Sequence, residues 1–184
     1  MNKKSFMILF FMVGILYLYS SAQQGKGKDS EIEKHLKLAD IFIKEGYYDL
    51  AELELQKCLE FDSKNEKVIV KMGYVYFQKG EVDKALNWYE KSLDKISNPR
   101  DVLINIARIY MKKEELTKAL EVVDKALKIA PESVVVYFTK AEILLKMGKK
   151  SEVKKLIKLA EKYVRNDWEQ GLLERLKKET NSSK

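Results

Sequence analysis

Small apolar, large apolar and polar positions recur along this chain with a step of 34 residues. Starting from Gly73, the step visits Ala39, Gly73, Ala107 and Ala141, all small. From Tyr76 it visits Phe42, Tyr76, Tyr110 and Leu144, all large. Ala85 belongs to the set Ala51, Ala85, Ala119 and Val153, and Tyr89 to Leu55, Tyr89, Val123 and Ile157. Between these landmarks apolar residues lie three and four apart, which is the spacing of one face of a helix. Each unit therefore predicts two amphipathic helices joined by a turn. The turn carries Gly46, Gly80 and Gly148, with Glu114 in the third unit. A residue without Cβ takes positive φ there at no steric cost.

The units run at about residues 32–65, 66–99, 100–133 and 134–167, without insertion. Small residues at 39, 73, 107 and 141 let the second helix of a pair approach the first. Large ones such as Tyr76 and Tyr89 fill the space between pairs. Each pair leaves an apolar face that only its neighbour can cover, so stability comes from stacking. The fourth unit departs most. Lys140 stands where the others have Leu38, Met72 and Ile106, and Val153 replaces alanine. A further amphipathic helix is expected at 167–178, capped by Asn166 or Asp167, with Trp168, Leu172, Leu173 and Leu176 on the covering face. Residues 180–184 read as a disordered tail.

These columns resemble the tetratricopeptide repeat, whose pattern is Trp-x-x-Leu-Gly-x-x-Tyr, then Ala-x-x-x-Phe, then Pro. The stretch KMGYVYFQKGEVDKALNWYEKSLD, residues 71–94, is one copy of four, and Pro131 marks a turn between copies. The resemblance implies an all-α, right-handed α-solenoid of four helix-turn-helix units over residues 32–179, closed by a capping helix. It says little about function, because the family is defined by packing residues.

Composition adds the setting. The chain has 184 residues, 46% hydrophobic and 34% charged, with Gly 8 and Pro 2, a balance that favours helix. MNKK is basic and short, Phe6 to Tyr19 is apolar, and Ser20 and Ala22 are small. That order is expected of a secretory signal over residues 1–22, cleaved after Ala22. The other reading is an uncleaved membrane anchor, although a span wants about 20 apolar residues. Residues 23–31 read as a polar linker. The protein is thus expected to be exported, in the periplasm or at the envelope. Cys58 is the only cysteine, which leaves stability to packing and not to an internal disulfide.

Catalytic chemistry finds little foothold. His35, the only histidine, occupies the repeat's Trp position and reads as a half-buried packing residue. Cys58 shares a small-residue column with Ser92, Ala126 and Ala160. A nucleophile there would need His35 as its base. No phosphate loop or nucleophile elbow is present, so no cofactor, no metal and no enzymatic activity are expected.

In tetratricopeptide stacks the first helix of each pair lines a concave groove that takes ligands. The resemblance places Leu36, Asp40, Val70, Tyr74, Phe77, Ile104, Arg108, Met111, Phe138 and Leu145 on that groove. An apolar surface of this kind suits a segment of a partner protein. Chaperone-binding members hold an acidic terminus with Lys, Asn, Asn, Lys and Arg. The matching places here hold Leu36, Asp40, Lys71, Asp101 and Asn105, so that activity is not implied. Residues 134–184 carry 13 basic against 7 acidic side chains. That basic end is an alternative contact for a membrane surface or an acidic partner, whereas nucleic acid does not fit an exported chain. The reading is a non-enzymatic scaffold for another protein in envelope assembly, transport or secretion.

Overall fold

The computed structural model describes residues 28–182. The expected signal at 1–22 and the first residues of the linker lie outside the described residues. Helices α1 (Lys28–Glu45), α2 (Tyr48–Phe61), α3 (Glu66–Gln78), α4 (Val82–Leu93), α5 (Arg100–Lys112), α6 (Leu116–Ile129), α7 (Val134–Lys146) and α8 (Lys150–Ala160) form four hairpins. A short 3-10 turn, Glu161–Tyr163, leads to α9 (Asp167–Asn181). Each hairpin packs on the next in chain order, and α9 lies against α7 and α8. The fold is an all-helical, right-handed solenoid.

The small column sets how closely paired helices meet. Ala39, Ala51, Ala85, Ala107, Ala119, Ala141 and Val153 are all fully buried. In the second copy the contact is tightest, because a Cβ on Gly73 would sit 2.8 Å from the Tyr89 ring. The other copies combine alanine with a smaller partner: Ala39 with Leu55, Ala107 with Val123, Ala141 with Ile157. Size lost on one helix is regained on the other.

The turns share one hydrogen-bond pattern. Tyr47 N–H donates to Phe42 C=O at 2.8 Å and Gly46 N–H to Ile43 C=O at 3.1 Å. The equivalent pairs recur after α3, α5 and α7, giving a Schellman end to each first helix. Gly46, Gly80 and Gly148 have φ of +79°, +82° and +74°, and Glu114 follows them at +61°. The backbone conformation of the turn is kept in the third copy although its glycine is not.

Four expectations need correction. Lys28 to Ser30, read as linker, are the first turn of α1, where Asp29 and Glu31 complement the helix dipole. The tail is ordered further than expected: Thr180 is buried and its hydroxyl donates to Leu176 C=O at 2.6 Å. On α9, Leu173 and Leu176 are buried, but Trp168 is 63% exposed and is not part of the core that α9 closes. His35 is buried outright, sharing a 2.6 Å hydrogen bond from Nδ1 with Glu54, which Lys57 also contacts at 2.6 Å. Asn166 is the residue that caps α9, accepting from Glu169 N–H at 2.9 Å.

The candidate protein-binding face

The first helices α1, α3, α5 and α7 present one shared face, and side chains bridge across it from copy to copy. Lys71 on α3 reaches Asp40 on α1 at 2.5 Å. The Lys112 ammonium on α5 lies 5.2 Å from the centre of the Phe77 ring on α3. Arg175 on α9 reaches Glu142 on α7 at 3.3 Å and lies 5.1 Å over the Phe138 ring. Helix α9 therefore stands in line as a fifth first helix.

Among the expected groove residues, Asp40, Tyr74 and Arg108 are exposed, and Tyr74, at 37%, is the largest apolar group of the set open to solvent. Leu36, Val70, Phe77, Met111 and Leu145 are half-buried, with their outer edges on the face. Ile104 and Phe138 depart from expectation. They are 3% and 5% exposed and have no surface to offer a partner. Ile104 is taken into the core beside Leu103, and Arg175 and α9 close over Phe138.

Beneath the centre of this face lies the Tyr89 phenol, held above its usual range by burial and by Tyr74, with Arg108 pulling the other way. That coupling puts Tyr74, Arg108 and Tyr89 in one neighbourhood, where the second and third copies meet. On α7, burial raises the Glu142 carboxyl above the usual range, against the pull of Arg175, Arg108 and Lys146. Of these cations Arg175 makes the ion pair with the half-buried carboxylate, and Arg108 and Lys146 act on it from beyond salt-bridge distance. Sequence reasoning missed Arg175, which lies outside the four copies; its signal is the step of 33 from Glu142.

His35 and Cys58 do not form a reactive pair. His35 is engaged by Glu54, and the Cys58 thiol donates to Ile32 C=O at 3.6 Å. Burial first, and Glu54 second, push that thiol up to about 11, far from a thiolate at neutral pH. Among the described residues no helix is long and apolar enough to cross a membrane.

The profile of the tetratricopeptide repeat protein 21 C-terminal ARM domain matches residues 19–147. MamA is 21% identical, with 72% of this chain and 77% of that one covered and a TM-score of 0.64. TTC0263, a thermophilic TPR protein from Thermus thermophilus, is 15% identical over 82% and 83% of the chains, with a TM-score of 0.68. YrrB, described as a TPR protein with an unusual peptide-binding site, is 18% identical over 80% and 78%, with a TM-score of 0.58. At these identities the likeness concerns the fold. No curated protein matches the chain.

Proposed function

From a chain that belongs to the tetratricopeptide repeat family, we propose a non-enzymatic scaffold that holds a segment of another protein along its first-helix groove. The observation that carries this reading is the pair Tyr74 and Arg108. Both are exposed on adjacent first helices at the middle of the stack, in a position the core does not need. Aromatic and Arg groups at the centre of an interface commonly carry its energy, with truncations costing about 2 kcal/mol or more. That YrrB has a peptide-binding site agrees with such a use of the fold.

In this reading the partner belongs to the bacterial envelope, which the basic start and the apolar run Phe6 to Tyr19 support. Cleavage after Ala22 leaves a mature chain beginning at Gln23. Intact mass of the protein from its native host decides this, and a chain still beginning at Met1 in the membrane fraction overturns it.

A second reading has its own support. Lys154, Lys155, Lys158 and Lys162 are exposed on and just after α8, around Leu159, itself exposed. Such a face suits an anionic surface. The two readings separate on variants. Tyr74→Ala with Arg108→Ala is expected to abolish partner capture from the envelope fraction while the melting curve stays near wild type. Lys154→Gln with Lys155→Gln and Lys158→Gln is expected to change salt dependence and keep the partner. The opposite pattern replaces the groove reading with surface association.

A further inference from the structure

The charges on the groove are not balanced, and their arrangement points to the chemistry of the bound segment. The acids there are occupied: Asp40 by Lys71, Asp101 by Arg100, and Glu142 by Arg175. Three of the cations are not. Among the described residues, Arg108, Lys112 and Lys146 have no carboxylate within salt-bridge distance. Lys112 rests on the Phe77 ring, which holds its ammonium at the surface. Lys112 and Lys146 occupy the same place in the last turn of α5 and α7, one period apart, and Lys44 has that place on α1.

Resting on the groove reading, we infer that the segment is acidic and extended, with a carboxylate at every third residue and apolar side chains between. The spacing follows from two lengths. Side chains bridge successive first helices directly, Lys71 to Asp40 at 2.5 Å and Lys112 to the Phe77 ring at 5.2 Å. This sets those helices about one packed-helix spacing of 8–10 Å apart, and equivalent side chains repeat at that distance. A polyproline-II strand has three residues per turn and rises about 3.1 Å per residue, returning one face every ~9 Å. One turn of such a strand therefore advances one copy along the stack. One carboxylate on its cationic side meets Arg108 and Lys112 together on α5 and the next meets Lys146 on α7, while apolar residues meet Tyr74, Met111 and Leu145. A polyphosphate backbone fits less well, because the cations are separated by apolar surface and do not form a continuous strip.

The test uses the full chain and three labelled dodecapeptides in fluorescence anisotropy: (Glu-Pro-Leu)4, (Gln-Pro-Leu)4 and a peptide of the first composition with its four Glu at one end. The repeated Glu peptide is expected to bind at least tenfold more tightly than either control. Arg108→Gln with Lys112→Gln and Lys146→Gln is expected to remove that advantage, with far-UV circular dichroism unchanged. Glu142→Gln, which deletes an acid from the same face, is expected to tighten binding several-fold. Equal affinity for the Glu and Gln peptides, lost in Tyr74→Ala, overturns the acidic segment and keeps the groove. Binding of the Glu peptide that survives both the Arg108 triple variant and Tyr74→Ala, but fails in the α8 lysine variant, overturns both. No binding of any peptide, or an oligothymidine of equal length bound as tightly with the same variant dependence, also overturns the inference.

Discussion

Lys79 reaches back from the second copy to Asp49 in the first at 2.7 Å, and Lys113, one period later, reaches Asp83 in the second at 2.6 Å. One further period on, the pair becomes Met147 and Thr117. The same substitution runs through the neighbouring positions. Lys84 lies over Tyr76 at 5.2 Å and Lys118 over Tyr110 at 5.6 Å, but the next pair is Glu152 and Leu144. The first two joints of the stack thus share a charged clasp, and the third is closed by apolar packing, with Lys140 reaching Asp124 at 2.6 Å elsewhere along it. Both kinds of joint give the same hairpin geometry. Geometry therefore comes from the buried small column, which all four copies share, and the clasps are additions to it.

The largest effect should come from the apolar end. Leu173 is fully buried among Val134, Tyr137, Phe138 and Leu144, where α9 closes the stack. Leu173→Ala is expected to cost about 2–5 kcal/mol, read as a shift of the guanidinium midpoint. Because each copy contacts mainly its neighbours, hydrogen exchange should lose protection first in α7, α8 and α9. Equal loss in α1 to α4 would show that the stack is held as one unit, and that the difference between joints does not matter to stability.

The next effect belongs to the second copy. Gly73→Ala puts a Cβ 2.8 Å from the Tyr89 ring, and overpacking of this kind costs about 1–3 kcal/mol. The first copy shows the compensation, since Ala39 is paired with Leu55. Tyr89→Leu in the same chain should recover part of the loss. A double variant no better than the sum of its parts would mean that the two residues do not compensate each other's size.

These residues also show where sequence reading succeeds and where it stops. The small and large columns, the Schellman turns and the two helices per unit follow from local chemistry repeated at one step, so one copy teaches the rest. Glu114 marks a boundary: its identity argues against positive φ, yet the three glycine copies argue for it, and the repeat wins. On the groove, the exposure of Tyr74 and Arg108 was legible because their period neighbours Asp40 and Glu142 are polar. The burial of Phe138 was not, because Arg175 and α9 cover it from outside the period. Trp168 failed for a related reason: four residues separated by helical spacing share a face, but the arc that α7 and α8 cover stops at Leu172, Leu173 and Leu176.

A smaller change, and a gain, is expected at the third turn. Glu114 holds φ of +61°, whereas the equivalent residues in the other copies are glycines. Glu114→Gly removes the steric cost of that conformation but loosens the unfolded chain, so the net stabilisation should be about 0.5–1 kcal/mol. A loss of stability would mean that the Glu114 side chain makes a contribution the turn geometry does not reveal.

The smallest effect is expected at the clasp itself. Asp49 and Glu52 hold the Lys79 ammonium above its usual range, against some desolvation. Burial raises the Glu52 carboxyl, yet hydrogen bonds from Lys79 and Tyr76 outweigh it and leave the group below its usual range. A carboxyl depressed in the folded state stabilises the fold above its unfolded pKa, and that contribution is lost as pH falls through the lower folded value. The Asp49 share of the clasp is limited by water, since that side chain is 89% exposed, whereas Glu52 is 18% exposed. Lys79→Met, which copies the third joint into the first, should therefore cost no more than about 1 kcal/mol at low salt. Screening lengths shrink to about 3 Å at 1 M salt, so the difference from wild type should fade in 1 M sodium chloride and in acid below the carboxylate range. The cost of Leu173→Ala should change little with either condition. A salt-independent loss in Lys79→Met would assign its role to the packing of the lysine stem against Tyr76, whose ring lies 5.8 Å from the ammonium, and the first and third joints would then differ in shape and not in charge.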